Sequence, residues 1–113
     1  MNAREWIRKT VAIGIDRQRG SRHPGQEFRY PLNYGCVPGV SAPDGEELDA
    51  YLLGIDKPVT GYTGVCIAVI MREDDDDDKL VIAPAGMQFS DEQIRALTWF
   101  QEQWFTSSIC RGG

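Results

Sequence analysis

The segment A-P-D-G-E-E-L-D, residues 42–49, contains four acidic residues, and three of them, Asp44, Glu46 and Asp49, stand at offsets around a turn that could place them together. Asp44 and Glu46 are two residues apart, so in an extended chain their side chains leave the backbone on the same side. Asp49 has the opposite parity and converges on them only if the Gly45 turn or a bulge rotates the backbone. Carboxylate oxygens are the ligands that hard cations such as Mg²⁺ select. D-G is also an ordinary turn sequence, so this loop alone leaves a plain acidic turn open.

A run of five aspartates, Asp74 to Asp78, lies between two apolar segments. Adjacent carboxylates repel by roughly 1 kcal/mol per pair even in bulk water. Such runs are usually solvated loops, and the alternative is that divalent cations offset the repulsion. Two acidic clusters in one small domain, each at the end of an apolar run, favour a shared metal site.

Several apolar segments of strand length surround these clusters. T-V-A-I-G-I-D, residues 10–16, predicts a first strand, and the turn residues of G-S-R-H-P-G, residues 20–25, end it. Further strands are predicted within residues 49–55, 64–72 and 79–84, where the apolar runs are continuous.

One amphipathic helix is predicted to follow the strands. Ser90 and Gln93 form a capping-box pattern, which predicts a helix start at Ser90. One apolar face at helical spacing is predicted to consist of Ile94, Leu97, Phe100 (or Gln101) and Trp104. We also expect the aromatic residues of this helix to pack in the core rather than form a stacking platform. Short strands followed by one helix favour a mainly β fold, a small OB-type β-barrel with a C-terminal amphipathic helix.

Composition bounds the setting of this fold. A chain of 113 residues with 42% hydrophobic content suits one domain, residues 1–113, with residues 1–9 and 107–113 expected as loose ends. The net charge of −5 argues against nucleic-acid binding. No apolar run approaches the roughly 20 residues of a membrane span, and the N-terminus lacks a signal-peptide pattern, so we expect a cytoplasmic protein without membrane attachment. Three cysteines far apart in sequence and a single histidine argue against a zinc site and against a disulfide framework.

Three segments together carry a family resemblance. Y-P-L-N-Y-G-C-V-P-G, residues 30–39, is followed by A-P-D-G-E-E-L-D-A-Y-L-L-G and then by I-A-V-I-M-R-E-D-D-D-D-D-K-L-V-I-A-P. In this order and spacing they resemble the soluble family I inorganic pyrophosphatases, in particular the compact short variants found in bacteria. The resemblance covers Val11 to about Phe105, and its most specific part is D-G-x-x-x-D with Y-P-x-N-Y-G upstream.

The resemblance implies an OB-type barrel that binds Mg²⁺, hydrolyses pyrophosphate to two phosphates and forms a homo-oligomer. It implies a catalytic role for Glu46, which would orient or deprotonate the attacking water. The metal ligands that it implies are Asp44, Asp49, Glu73 (or Asp74) and Asp77. The phosphate-binding residues that it implies are Arg22, Tyr34 and Lys79. Asp75, Asp76 and Asp78 are expected to be surface residues outside the site.

The chain also departs from the family pattern. Only H-P-G-Q-E-F, residues 23–28, remains where standard members carry a hairpin that supplies an arginine and an aspartate. The family's helical Tyr-Lys pair becomes Trp104-Phe105, and its first-strand glutamate corresponds to Gly14. Two alternatives to an enzyme therefore stay open. One is a degenerate domain that binds divalent metal or a phosphorylated ligand without efficient hydrolysis, and the other is an interaction protein that docks through its acidic face.

Overall fold

The computed structural model describes residues 3–42, 45–73 and 77–112. Within them the chain forms six strands, one α-helix and a short 3₁₀ helix at Ala3–Trp6. The strands and the helix are β1 (Thr10–Arg17), β2 (Asn33–Ser41), β3 (Glu47–Leu52), β4 (Gly61–Arg72), β5 (Lys79–Ala83), α1 (Asp91–Glu102) and β6 (Ser107–Cys110).

Five of the strands close into a barrel. The order is β1-β2-β3-β5-β4, and β4 pairs back onto β1, which leaves no free edge in this ring. All pairings are antiparallel except β3 with β5, which run parallel with Asp49 opposite Lys79. The 12-residue β4 is long enough to pair with β1 at one end and with β6 at the other. The prediction of a mainly β, OB-type barrel with one C-terminal helix is confirmed.

The barrel interior and the helix interface form two apolar layers. Alternate residues of β5 belong to different layers. Leu80 and Ile82 pack inside the barrel, whereas Val81 packs toward the helix. Tyr51 and Ile94 belong to the second layer and are fully buried. A strand buried on both faces reads as a continuous apolar run, which is why K-L-V-I-A shows no alternation in sequence.

The helix begins as predicted but buries a different face. Gln93 N donates to Ser90 Oγ at 3.1 Å, and Ser90 N donates to Gln93 Oε1 at 2.8 Å, which completes the capping box. The prediction of a buried face through Leu97 and Trp104 is wrong. The row that faces the barrel is Ile94, Thr98 and Glu102, at i, i+4 and i+8.

Two polar side chains can be buried in that row because each has a hydrogen-bonding partner. Thr98 Oγ1 donates to the Ile94 carbonyl at 2.8 Å, and Glu102 is paired with an arginine of β4. Leu97 and Trp104 are consequently turned outward, at 39% and 56% exposure. Trp99 is exposed as well, so the expectation that the helical aromatic residues are core is wrong for both tryptophans.

The expected loose ends contain ordered elements. Ala3 and Ile7 are buried around the N-terminal 3₁₀ helix. Ser107–Cys110 pairs antiparallel with the end of β4, with Ser107 opposite Arg72. Cys36, Cys66 and Cys110 are free thiols. Across residues 3–42, 45–73 and 77–112, no helix combines the length and apolarity that spanning a bilayer requires.

Candidate active site

An acidic cavity of about 280 Å³ lies at the end of the barrel where β3 and β5 begin. Asp49 reaches it from β3 and Asp77 from the residues just before β5. Its described lining residues are Asp16, Cys36, Glu46, Glu47, Asp49 and Asp77. Five of these six side chains are carboxylic acids. We name this space the acidic cavity.

Lys79 bridges two of these carboxylates. Its Nζ donates to Asp49 Oδ2 at 2.6 Å and to Asp77 Oδ2 at 2.8 Å. The lysine side chain is 3% exposed, whereas both carboxylates are 26% exposed. The parallel pairing of β3 with β5 sets Asp49 opposite Lys79, so the backbone register itself positions this ion triad.

A second ion-pair network lies behind the triad. Arg72, the last residue of β4, donates from Nε and Nη2 to the two oxygens of Glu102 at 3.0 and 2.8 Å. Its Nη1 donates to Asp77 Oδ2 at 3.2 Å. Tyr51 OH donates to Glu102 Oε2 at 2.6 Å. Arg72 therefore links the helix to the loop that carries Asp77.

A larger cavity of about 430 Å³ opens on the other side of the triad. It shares Asp49 and Asp77 with the acidic cavity, but its walls also carry cationic and aromatic side chains. We name it the cationic cavity. Its described lining residues are Arg17, His23, Pro24, Gln26, Phe28, Tyr30, Tyr34, Asp49, Arg72, Asp77, Lys79, Gln101, Trp104 and Phe105.

Tyr34 stands between the triad and the aromatic wall of the cationic cavity. The Tyr34 ring centroid is 5.0 Å from the Tyr51 ring centroid and 5.5 Å from Lys79 Nζ. Burial, and then the Asp49 carboxylate, raises the pKa of the Tyr34 hydroxyl. The hydroxyl is therefore protonated at neutral pH and can donate a hydrogen bond to an anion.

The structure brings together five of the predicted site residues. Glu46, Asp49 and Asp77 line the acidic cavity, and Tyr34 and Lys79 line the cationic cavity together with the same two aspartates. Gly45 has a φ of 87° directly before Glu46, and Glu46 and Asp49 both line the acidic cavity.

Two predicted site residues lie apart from the others. Arg22 is exposed and lines a separate pocket of the loop between β1 and β2, which shares His23, Pro24 and Gln26 with the cationic cavity. Glu73 is exposed just after β4 and is absent from the described linings of both cavities. Asp44 lies outside the described residues, as does Asp74, the alternative to Glu73.

Sequence reasoning missed Arg72, Glu102 and Asp16. Arg72 continues the series of buried even-numbered positions of β4 from Gly64 onward, but the apolar run of β4 shows no such alternation in sequence. Glu102 could have been found only with the correct helix face, eight residues after Ile94. Asp16 closes the first predicted strand, and nothing in its local sequence relates it to the acidic cluster.

The donor chemistry of the acidic cavity fits a hard divalent cation. Burial, the nearby Asp16 charge and the contact with Glu47 raise the pKa of the Cys36 thiol to about 12. The sulfur is therefore protonated at neutral pH, and carboxylate oxygens remain as the anionic donors. Hard oxygen donors suit Mg²⁺, Mn²⁺ and Ca²⁺ rather than soft metals.

The carboxylates are not gathered into a finished coordination sphere. In the described parts of the chain, no group of three His, Cys, Asp or Glu side chains is close enough to hold a metal ion. Asp49 and Asp77 instead face the Lys79 ammonium. The described residues that would hold a cation here are Asp49 and Asp77, in exchange for their contacts with Lys79.

Comparisons with known proteins decide the family. A family model described as inorganic pyrophosphatase matches residues 5–108. The chain belongs to the inorganic pyrophosphatase family. An inorganic pyrophosphatase from Haemophilus influenzae is 35% identical over 85 residues, which are 72% of this chain and 46% of that protein. One from Neisseria meningitidis serogroup A is 35% identical over 103 residues, which are 88% of this chain and 55% of that protein.

The chain spans about half the length of the curated inorganic pyrophosphatases that it matches. Its fold is also that of the family. The crystal structure of an inorganic pyrophosphatase from Ehrlichia chaffeensis superposes with a TM-score of 0.71 at 17% identity, covering 90% of this chain and 85% of that chain.

Proposed function

We propose that this chain hydrolyses inorganic pyrophosphate to two phosphates with the help of Mg²⁺ held at the acidic cavity. The observation that carries the proposal is the meeting of two cavities of opposite character at the Asp49–Lys79–Asp77 triad. Pyrophosphate needs cationic groups for its phosphate oxygens, and the metal ions that accompany it need carboxylates. Both kinds of group are within reach of one another here, and the family membership agrees with this substrate.

The hydrolysis consumes one water molecule. The water oxygen forms a bond to one phosphorus while the bond from that phosphorus to the bridging oxygen breaks, and the bridging oxygen leaves with the second phosphate. A divalent cation would supply neutralisation of the substrate's charge and a lowered pKa for the attacking water. Glu46, exposed at the acidic cavity, is proposed to orient this water and accept its proton.

Other residues of the site are proposed to hold the substrate. Lys79 presents a fixed positive charge to the departing phosphate, and the Tyr34 hydroxyl donates a hydrogen bond to a phosphate oxygen. Asp49 and Asp77 are proposed metal ligands at the boundary of the two cavities. Asp44 and Glu73 are proposed as further metal ligands, and Arg22 as a phosphate contact from its loop, on the resemblance alone.

We also infer a cytoplasmic setting and self-association. Among the described residues, the large hydrophobic side chains exposed on the surface are Met87, Leu97, Trp99 and Trp104. Three of these four lie on α1 or directly after it, so the outer side of the helix offers apolar area that a second copy of the chain could cover.

The assigned role of Glu46 provides the test of this proposal. Glu46→Gln keeps the size and hydrogen-bonding shape of the side chain but removes its charge and basicity. It should lower Mg²⁺-dependent release of phosphate from pyrophosphate by about 10² to 10⁴, the range typical for loss of a general base. Phosphate release would be measured on purified protein by a coupled colorimetric assay.

Glu92→Gln is the matched control, because Glu92 is exposed in the first turn of α1 and lies outside both cavity linings. It should keep wild-type activity. Equal activity of wild type and Glu46→Gln would remove Glu46 from the mechanism. A wild-type protein that binds Mg²⁺ tightly but releases no phosphate would instead identify the degenerate binding domain.

A further inference from the structure

Arg72 is a buried cation in the wall of the cationic cavity. It is the last residue of β4, and its side chain is 4% exposed. The family pattern has a hairpin arginine for which this chain has no counterpart between residues 23 and 28. Arg72 brings a positive charge to the cavity from β4 instead.

Three groups fix the orientation of its guanidinium. Nε and Nη2 make a two-pronged contact with Glu102, at 3.0 and 2.8 Å. Tyr51 OH holds Glu102 in turn at 2.6 Å. The Phe105 ring lies below the guanidinium, with Arg72 Cζ 3.6 Å from the ring centroid. Such contacts define the plane of the guanidinium and leave little rotamer freedom to lose when a ligand binds.

The same surroundings keep the group charged. Burial by itself lowers the pKa of the Arg72 guanidinium, but the hydrogen bonds and charge of Glu102 outweigh burial and leave the pKa raised. Glu102 is itself 2% exposed and meets the guanidinium with both of its oxygens.

The contact with Asp77 has a different character. Arg72 Nη1 donates to Asp77 Oδ2 at 3.2 Å, the longest of the three contacts to carboxylates. Asp77 is 26% exposed, lines both cavities and also accepts a hydrogen bond from Lys79 at 2.8 Å. Of the two carboxylates that contact the guanidinium, Asp77 is thus the one that lines the cavity, where an anionic ligand can compete with it.

We propose that Arg72 is a phosphate-binding residue of this site, whose guanidinium binds oxygens of pyrophosphate from the cationic cavity in competition with Asp77. A guanidinium matches a phosphate with two parallel N–H···O bonds, which an ammonium cannot do. Arg72 and Lys79 then present two cations to the substrate from adjacent positions of the same wall. This inference rests on the proposed function, because it takes pyrophosphate as the ligand.

The test measures binding without catalysis. Pyrophosphate is titrated by isothermal calorimetry into protein held in EDTA, where no divalent cation supports hydrolysis. Arg72→Met alone would leave Glu102 buried and unpaired, which is costly to the fold. The test variant is therefore Arg72→Met/Glu102→Gln, which removes both charges of the pair. Glu102→Gln alone is the matched comparison, because it differs from the double variant only at Arg72.

The double variant should bind pyrophosphate about tenfold or more weakly than Glu102→Gln, as expected for loss of charge-assisted hydrogen bonds. Arg95→Met should bind like wild type, since Arg95 is exposed on α1 and outside the cavity lining. Equal affinity of the folded double variant and Glu102→Gln would overturn the proposal. If circular dichroism shows that the double variant is unfolded, Arg72→Lys decides, with at least threefold weaker binding expected and unchanged affinity overturning the proposal.

Failure of this inference can be told apart from failure of the proposed function. Wild-type hydrolysis of pyrophosphate together with Arg72-independent binding removes Arg72 and leaves the enzyme. Arg72-dependent binding without hydrolysis in Mg²⁺ leaves the phosphate site and removes the catalytic function.

Discussion

At the scale of single residues, Lys79 offsets the negative charges of two carboxylates in the site. Its ammonium is shared by Asp49 and Asp77, and it is nearly inaccessible to solvent. Without it, two carboxylates that now accept hydrogen bonds from one cation would face each other across the boundary of the cavities. The register of two parallel strands sets this geometry, so the triad is built into the barrel rather than assembled by a loop.

Replacement of Lys79 by methionine should therefore be costly even before substrate is considered. We expect Lys79→Met to lower the free energy of unfolding by about 2 to 3 kcal/mol, somewhat less than for a fully buried pair because both partners are a quarter exposed. Urea denaturation in EDTA measures this. Lys57→Met, at an exposed lysine, is the control and should change little. An unfolding free energy equal to that of the control would show that the triad does not stabilise the fold.

The acidic side of the candidate site was predicted from two acidic clusters in the sequence. Glu46, Asp49 and Asp77 were proposed from the acidic clusters together with the family resemblance, and they line one cavity. Arg72 and Glu102 are 30 residues apart, so their pairing depends on how α1 crosses the end of β4. The local sequence around neither residue indicates that crossing, which is why Arg72 and Glu102 were not predicted as site residues.

At the scale of elements, β6 supports the site indirectly. It pairs with the last four residues of β4, including Met71 opposite Ser108 and Arg72 opposite Ser107. Ile109 packs against the apolar layer under the helix. The segment reads as a loose end in sequence because it is short, polar and followed by glycines. Only the overhang of β4 beyond the barrel gives it a pairing partner.

Deletion of residues 107–113 should consequently destabilise the protein. The deletion removes the β4–β6 hydrogen bonds and part of the burial of Ile109, and we expect a loss of about 2 kcal/mol or more. The midpoint of urea unfolding is the measurement. Deletion of residues 112–113 alone, which leaves β6 intact, is the control. A midpoint equal to the control would mean that β6 adds nothing to stability.

Prediction of the elements succeeded where local pattern and tertiary packing agree. The capping box at Ser90 forms because both of its hydrogen bonds are local. The buried face of α1 was mispredicted because Thr98 and Glu102 look like surface residues in sequence. They face the barrel since each has a partner there, the Ile94 carbonyl for Thr98 and Arg72 for Glu102.

At the scale of the whole molecule, the net charge of −5 and the clustering of carboxylates at one barrel end make the folded state sensitive to cations. A ligand that binds only the folded state stabilises it by mass action. Mg²⁺ at ten times its dissociation constant should contribute about 1.4 kcal/mol. For a domain of this size that corresponds to a rise in Tm of about 5 °C.

Thermal unfolding in MgCl₂, compared with NaCl at equal ionic strength, separates binding from general screening. Asp44→Asn/Asp49→Asn should remove most of the specific shift. Asp56→Asn/Glu92→Gln removes the same number of charges at two exposed positions away from the site and should keep it. A full Mg²⁺ response in the Asp44/Asp49 variant would place the cation elsewhere.

The central claim is that this chain hydrolyses pyrophosphate at this barrel end. ³¹P NMR of pyrophosphate with purified wild-type protein tests it most directly, because substrate and product give separate resonances. In Mg²⁺ the pyrophosphate resonance should be replaced by that of phosphate, and in EDTA it should persist. A pyrophosphate resonance that persists in Mg²⁺ with folded protein would contradict the account.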